Sequence, residues 1–206
     1  RHEQELMTKD ATIREIHHRV KNNLQTVSAL LRLQSRRSSE EAVKVALAEA
    51  ERRVQAIATV HAALSQNVDE SVDFDEVART IVRMAGAIAS TDHAVEVITT
   101  GSFGTIQADQ AQALATVLNE LVANSVEHGL ADRDGLIEVR AEREGASMTV
   151  TVADDGVGFV PGTPMSGLGT QIVHQMVRGE LKGSIEWAPR EGGGTLVTLR
   201  ANLDPA

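Results

Sequence analysis

Between Leu6 and Ser65 the chain has neither glycine nor proline, and its apolar residues return at intervals of three and four, the spacing that lays a stripe along a helix. Val43, Leu47, Ala50, Val54, Ile57, His61 and Leu64 step by 4, 3, 4, 3, 4 and 3, so one seam runs along a helix in the second half of this stretch. An earlier helix carries Ile13, Ile16, Val20, Leu24, Val27 and Leu31, with Leu30 and Leu33 widening its stripe. Between them "RRSSEE" (36–41) offers Ser at the cap position before the second helix and acids in its first turn. Two such helices form a hairpin with little other surface to bury against, so pairing with a second copy into a four-helix bundle is predicted.

After Asn67 the pattern changes, and a boundary is expected there, with a hairpin domain at 1–67 and a second domain at 68–206. "VDFDEVARTIVRMAGAIA" (72–89) and "DQAQALATVLNELVANSVEHG" (109–129) have helical spacing, the second closing on Gly129. Strands read at "AVEVITT", "LIEVRAER", "SMTVTVAD", "GSIEWA" and "GTLVTLRA", several separated by polar turns. Helices covering one face of such strands make an α+β layered sandwich.

Composition narrows the function. The 206 residues are 42% hydrophobic, enough for a core, and the formal net charge is −9, which argues against broad nucleic-acid or membrane-surface binding. A phosphate ligand would need local donors or a metal. Cysteine is absent, so disulfides and thiolate metal sites are excluded, and no apolar run approaches the ~18 residues of a membrane-spanning helix. A cytoplasmic location and no membrane insertion are expected. The opening "RHEQELMTKD" is polar and helix-compatible, which predicts further sequence upstream of Arg1.

Candidate chemistry sits in glycine-rich turns. "DDGVGF" (154–159) follows a strand directly, and "SGLGTQIV" (166–173) opens a helix. Glycines at 156, 158, 167 and 169 let backbone come close to a ligand, while amides at a helix start attract phosphate. Ahead of them, "NELVANSVEHG" sets Asn119, Glu120, Asn124, Glu127 and His128 among apolar Leu118, Leu121, Val122 and Val126. Asn124 lies four residues from Glu120, on the same helical face.

These elements, in this order over most of 110–200, resemble the Bergerat-type (GHKL) ATP-binding fold shared by histidine kinases and the gyrase and Hsp90 group. They match an Asn box, a D-x-G-x-G box ("DDGVG"), a G-x-G box ("GLG") and a last strand entered through "GGGT". The resemblance implies ATP and Mg²⁺ as ligands. Asp154 would accept the adenine amino group, and Gly156 and Gly158 would give the base room. Asn124 would hold Mg²⁺ through its side-chain oxygen. Gly167, Leu168 and Gly169 would border the phosphates, and Glu120, His128 and Thr195 complete the implied ATP site. The lid, "VPGTPMS" (160–166), is short, no phenylalanine box is present, and Glu127 stands where many relatives have Lys. Lys182 and Arg178 are positives without an assigned role.

Before that domain, "EIHHRVKNNLQTVSALLRLQ" resembles the phosphoacceptor helix of sensor histidine kinases, and its H-R-x-K-N-N pattern is that of the second HisKA class, related to the HWE kinases. The acceptor in that family is the histidine directly before Arg, here His18. Helical geometry agrees: with Ile13, Ile16, Val20 and Val27 on the seam, position 18 points most nearly away, while His17 flanks the core. His61, on the seam of the second helix, reads as a packed histidine. A solvated imidazole is mostly neutral at pH 7, as a nucleophile must be. Glu15 and Asn22 share the helical face of His18 and are the expected proton acceptor and hydrogen-bonding neighbour, with Arg and Lys on that face able to neutralise phosphoryl charge.

The implied activity is that of an ATP-dependent protein histidine kinase core, homodimeric through the hairpin, that phosphorylates itself on His18 and passes the phosphoryl group to an aspartate on a response-regulator receiver domain. Two other readings use the same fold without needing His18: a serine kinase or ATPase, and a degenerate dimeric scaffold that relays signals by helix movement.

Overall fold

The structure is a computed structural model describing residues 2–67, 69–87, 93–162 and 167–206. It divides into two compact units, Arg1–Val72 and Asp73–Ala206.

The first unit is a helical hairpin of α1 (His2–Arg37) and α2 (Glu41–Leu64). The serine cap expected for α2 is not what forms. Glu40 is the N-cap residue and makes no side-chain cap bond, and the Ser38 hydroxyl accepts the Glu40 N–H at 3.2 Å. Ser38 thus shapes the turn two residues too early to cap the helix. The inner face of α1 is more polar than its stripe predicts: its two buried residues are His17 and Ser28. Ile16, Val27, Leu30 and Leu33 instead stand exposed. Apolar residues left outward while polar ones turn inward mark a helix pair whose greasy face is meant for another surface.

A strand β1 (Ser71–Asp73) occupies the start of the stretch expected to be helical, at the boundary of the two units, and α3 (Phe74–Ala87) begins after it in the second unit. The cause is local: the Asp73 carboxylate accepts the Asp75 N–H at 3.2 Å, capping the helix there. Residues 88 and 89 of the expected helix lie outside the described residues. Then come β2 (Val95–Gly101), the short strand β3 (Thr105–Gln107), which the pattern did not predict, and α4 (Ala108–Asn124). The chain continues with β4 (Gly135–Glu144), β5 (Ser147–Asp154), α5 (Leu168–Arg178), β6 (Ser184–Pro189) and β7 (Thr195–Asn202).

Five strands form one sheet in the order β2-β4-β5-β7-β6, with β2 parallel to β4 and the other neighbours antiparallel. Alternation buries Met148, Val150 and Val152 of β5 beside Ile137 and Val139 of β4 and Val197 and Leu199 of β7. The helices α3, α4 and α5 lie in one layer, α4 so enclosed that every residue from Ala113 to Ala123 is buried. This is the two-layer α+β sandwich expected. No described helix is long and apolar enough to cross a membrane.

Candidate functional site

The site gathers where α4 ends. Beyond Asn124 the helix widens into a π-helical turn, Ser125–Gly129, closed by the Leu130 N–H on the Ser125 carbonyl at 2.9 Å. Such widening re-aims side chains and is found mostly at functional positions. Together with the ends of β5 and β7 it walls a cleft of about 250 Å³.

Asp154 closes β5 in register with Ile137 and Thr195. The alternation that turns Val150 and Val152 inward turns Asp154 inward too, and only 2% of it is exposed. Burial pushes its carboxyl above the usual aspartate range, opposed by bonds from the Gly156 N–H at 3.0 Å, the Ser125 hydroxyl and the Thr195 N–H, while nearby Asp155 adds to the upward push. A carboxylate has about four lone-pair sites, and Asp154 lines the cleft, so acceptor capacity remains for a group there. Asp155 serves the fold instead, accepting the Leu136 N–H at 2.8 Å. The close approach behind Asp154 requires glycine at 156, where a Cβ would run into the Gly129 carbonyl oxygen. Gly158 takes φ 72°, a left-handed conformation that glycine adopts at little cost.

Of the residues expected to bind ATP, Asn124, His128, Asp154, Gly158 and Thr195 line this cleft. Asn124 is half-buried and its carboxamide makes no hydrogen bond among the described residues, which leaves the oxygen available to a hard cation. Glu120 is 1% exposed inside the core one turn before it and does not line the cleft. Gly156 lies behind the wall rather than on it. Gly167, Leu168 and Gly169 form the N-terminus of α5, Leu168 largely exposed, and the cleft is reached from that turn by Thr170. Residues 163–166 of the expected lid lie outside the described residues.

The sequence reading missed the apolar wall, made by Leu121, Phe159, Trp187 and Val197. One signal was available: Trp187 is the only tryptophan in a chain with three phenylalanines and no tyrosine. The two unassigned positives do not serve the site. Lys182 pairs with Asp204 at 2.9 Å, and Arg178 ends α5, roughly 15 Å along the helix from Gly167.

In the hairpin, His17 is buried and His18 exposed. His17 Nδ1 lies 2.9 Å from Nδ1 of His61. The Asn22 carboxamide is 3.3 Å from His18 Nδ1. Glu15 accepts a 2.9 Å bond from Arg19, which holds its carboxyl below the usual carboxylate range, and His18 acts on it in the same direction. Exposure screens that pairing heavily.

Two family models match the chain: "Histidine kinase" over residues 15–88 and "Histidine kinase-, DNA gyrase B-, and HSP90-like ATPase" over residues 109–205. The chain is 46% identical to the sensor histidine kinase PdtaS of Mycolicibacterium smegmatis over 98% of its own length and 42% of that relative's. Against PdtaS of Mycobacterium tuberculosis it is 46% identical over 97% of itself and 41% of the relative. It therefore spans about two-fifths of the length of these relatives. The histidine kinase domain of the blue-light activated kinase from Erythrobacter litoralis shares the fold, with a TM-score of 0.64 at 23% identity, covering 97% of this chain and 94% of that one. With both signatures in order along one chain, and the H-R-x-K-N-N pattern of the HWE-related class in the first, the chain belongs to the histidine kinases of the second HisKA class.

Proposed function

We propose that this chain is the self-phosphorylating core of a protein histidine kinase, in which ATP held in the cleft phosphorylates His18 and the phosphoryl group then passes to an aspartate of a receiver domain. The observation that carries the reading is the pairing, in one chain, of an outward imidazole on the hairpin with a buried carboxylate that keeps acceptor capacity for a group in a cleft.

Asp154 accepts the adenine amino group, and the slot of Leu121, Phe159, Trp187 and Val197 takes the faces of the base. Asn124 would offer its amide oxygen to Mg²⁺, His128 and Thr195 flank the nucleotide, and the unspent N–H groups at Gly167, Leu168 and Gly169 attract phosphate. Bound Mg²⁺ would neutralise phosphate charge and orient the γ-phosphoryl group. Glu120 supports the position of Asn124 from the turn below, and Gly156 lets the Asp154 loop approach Gly129.

At the acceptor, the Asn22 carboxamide has its nitrogen 3.3 Å from His18 Nδ1; flipping the amide brings its oxygen to the ring, which holds the His18 tautomer protonated on Nδ1 and frees the Nε2 lone pair. The Nε2–P bond forms as the bond from the γ-phosphorus to the bridging oxygen breaks, and ADP leaves with the electron pair. The ring, now cationic, gives its Nδ1 proton to solvent. Glu15 acts on that charge electrostatically; because Arg19 holds it, it steadies the cation better than it serves as a base. Catalysis here is positioning and charge neutralisation. A second copy covers exposed Ile16, Val27, Leu30 and Leu33 in a homodimer.

The test is incubation with γ-labelled ATP and Mg²⁺. Label that is acid-labile and base-stable, present in wild type and absent from His18→Ala, is expected. Acid-stable label, or free phosphate alone from an unchanged His18→Ala variant, would move the assignment to a serine kinase or ATPase.

A further inference from the structure

The polar contacts inside the hairpin take no part in the nucleotide chemistry described above. The two buried residues of α1 are both polar, and each meets a polar partner on α2. At one, Gln55 donates to the Ser28 hydroxyl at 2.7 Å, and Ser28 donates to Glu51, which Arg32 also holds at 2.6 Å. At the other, the rings of His17 and His61 stand with centroids 5.1 Å apart and their Nδ1 atoms 2.9 Å apart. An apolar seam tolerates small slips and rotations, whereas a hydrogen bond of this length fails when its geometry moves.

A bond between two ring nitrogens needs one to donate and the other to accept. Glu70 Oε1 lies 3.9 Å from His17 Nε2, and that buried nitrogen has no hydrogen-bond partner among the described residues. The nearby carboxylate favours the proton on Nε2, so His17 Nδ1 is bare and accepts from His61 Nδ1–H. Successive residues of a helix are about 100° apart around its axis. Whatever holds His17 against α2 therefore sets the direction in which His18 points.

We propose that His61 is a positioning residue for phosphoryl acceptance: by donating to His17 it fixes the rotation of α1 about its axis, and so presents the His18 imidazole in one direction. This rests on the kinase reading of His18. The contact adds nothing to ATP binding, so it acts on turnover alone.

The experiment compares wild type, His61→Asn, His61→Leu and the double variant His17→Leu/His61→Leu in the whole chain. The double variant guards against misfolding, since replacing both partners by apolar groups of similar size leaves no buried polar atom unpaired. Label on His18 at saturating ATP is expected to appear roughly ten- to a hundredfold more slowly in both leucine variants, with the KM for ATP unchanged. His61→Asn, whose amide N–H falls near the place of the ring Nδ1–H, is expected to recover most of the rate. Long-range proton–nitrogen spectra should show His17 protonated on Nε2 and His61 on Nδ1. Wild-type rates in the double variant, an asparagine variant as slow as the leucine ones, or two rings both protonated on Nε2 would overturn the inference. Absence of label from wild-type His18 would instead overturn the kinase reading beneath it.

Discussion

Replacing Asp154 by Asn separates recognition from folding. The Asp154 carboxylate accepts the Gly156 N–H at 3.0 Å, with the Ser125 hydroxyl and the Thr195 N–H also favouring its charged form, and in the proposed reading it takes the adenine amino group at a remaining acceptor site. Asn keeps the shape but has one acceptor oxygen, and presents an N–H₂ where the ligand also brings N–H. A hydrogen bond to a charged group contributes about 1.5–3 kcal/mol, so ATP affinity should fall roughly ten- to a hundredfold. Donor facing donor puts the loss toward the upper end. Stability should move the other way or not at all. Burial raises the Asp154 pKa in the folded state, so the fold favours the protonated form. That contribution is fully present below the pKa of an unfolded aspartate and is lost as pH rises through the raised folded value; at neutral pH the ionised side chain is a burden on the fold. Asn removes the burden, and Ser125 can turn its hydroxyl to accept from the new amide. Trp187 lines the cleft and is the only tryptophan, so its fluorescence reports nucleotide titration directly, with thermal melting of the same samples as the folding control. Wild-type affinity should also weaken as pH falls through the raised Asp154 pKa, above the range of an ordinary aspartate, and the variant should lack that dependence. An Asn variant that binds ATP within about threefold of wild type, or loses binding only as it unfolds, would refute the reasoning.

Other outcomes follow from neighbouring residues. Asn124→Ala should lower affinity for Mg-ATP about tenfold while leaving metal-free ATP binding nearly unchanged, measured by Trp187 fluorescence with and without chelator. Gly156→Ala should cost about 1–3 kcal/mol through overlap with the Gly129 carbonyl, seen as a lowered Tm; a neutral result would mean the Asp154 loop can retreat. Leu30→Lys with Leu33→Lys, on the exposed stripe of α1, should convert the proposed homodimer to monomer in light scattering while nucleotide binding by the second unit persists.

Local periodicity determined much of this protein. Apolar spacing of three and four specified two hairpin helices, and alternation in "SMTVTVAD" specified both β5 and the inward direction of Asp154, because facing in or out is a property of each element's own repeat. The glycines at 156 and 158 were legible as places of close backbone approach, but they were read as approaching a ligand, whereas Gly156 makes its close approach to the Gly129 carbonyl behind the cleft wall. The short strands β1 and β3 were not legible, since three residues carry too little pattern. Nor was the start of α2, where the serine hydroxyl of Ser38 accepts the Glu40 N–H and Glu40 stands at the cap position. Only the tertiary structure decided what each inward face would meet. His17 finds His61 forty-four residues away, Gln55 finds Ser28 across twenty-seven, and Phe159, Thr170 and Trp187 come from separate elements to one cleft. Those meetings depend on how one helix is turned against another and which strands pair. Register is a relation between elements, so no repeat within either of them can encode it.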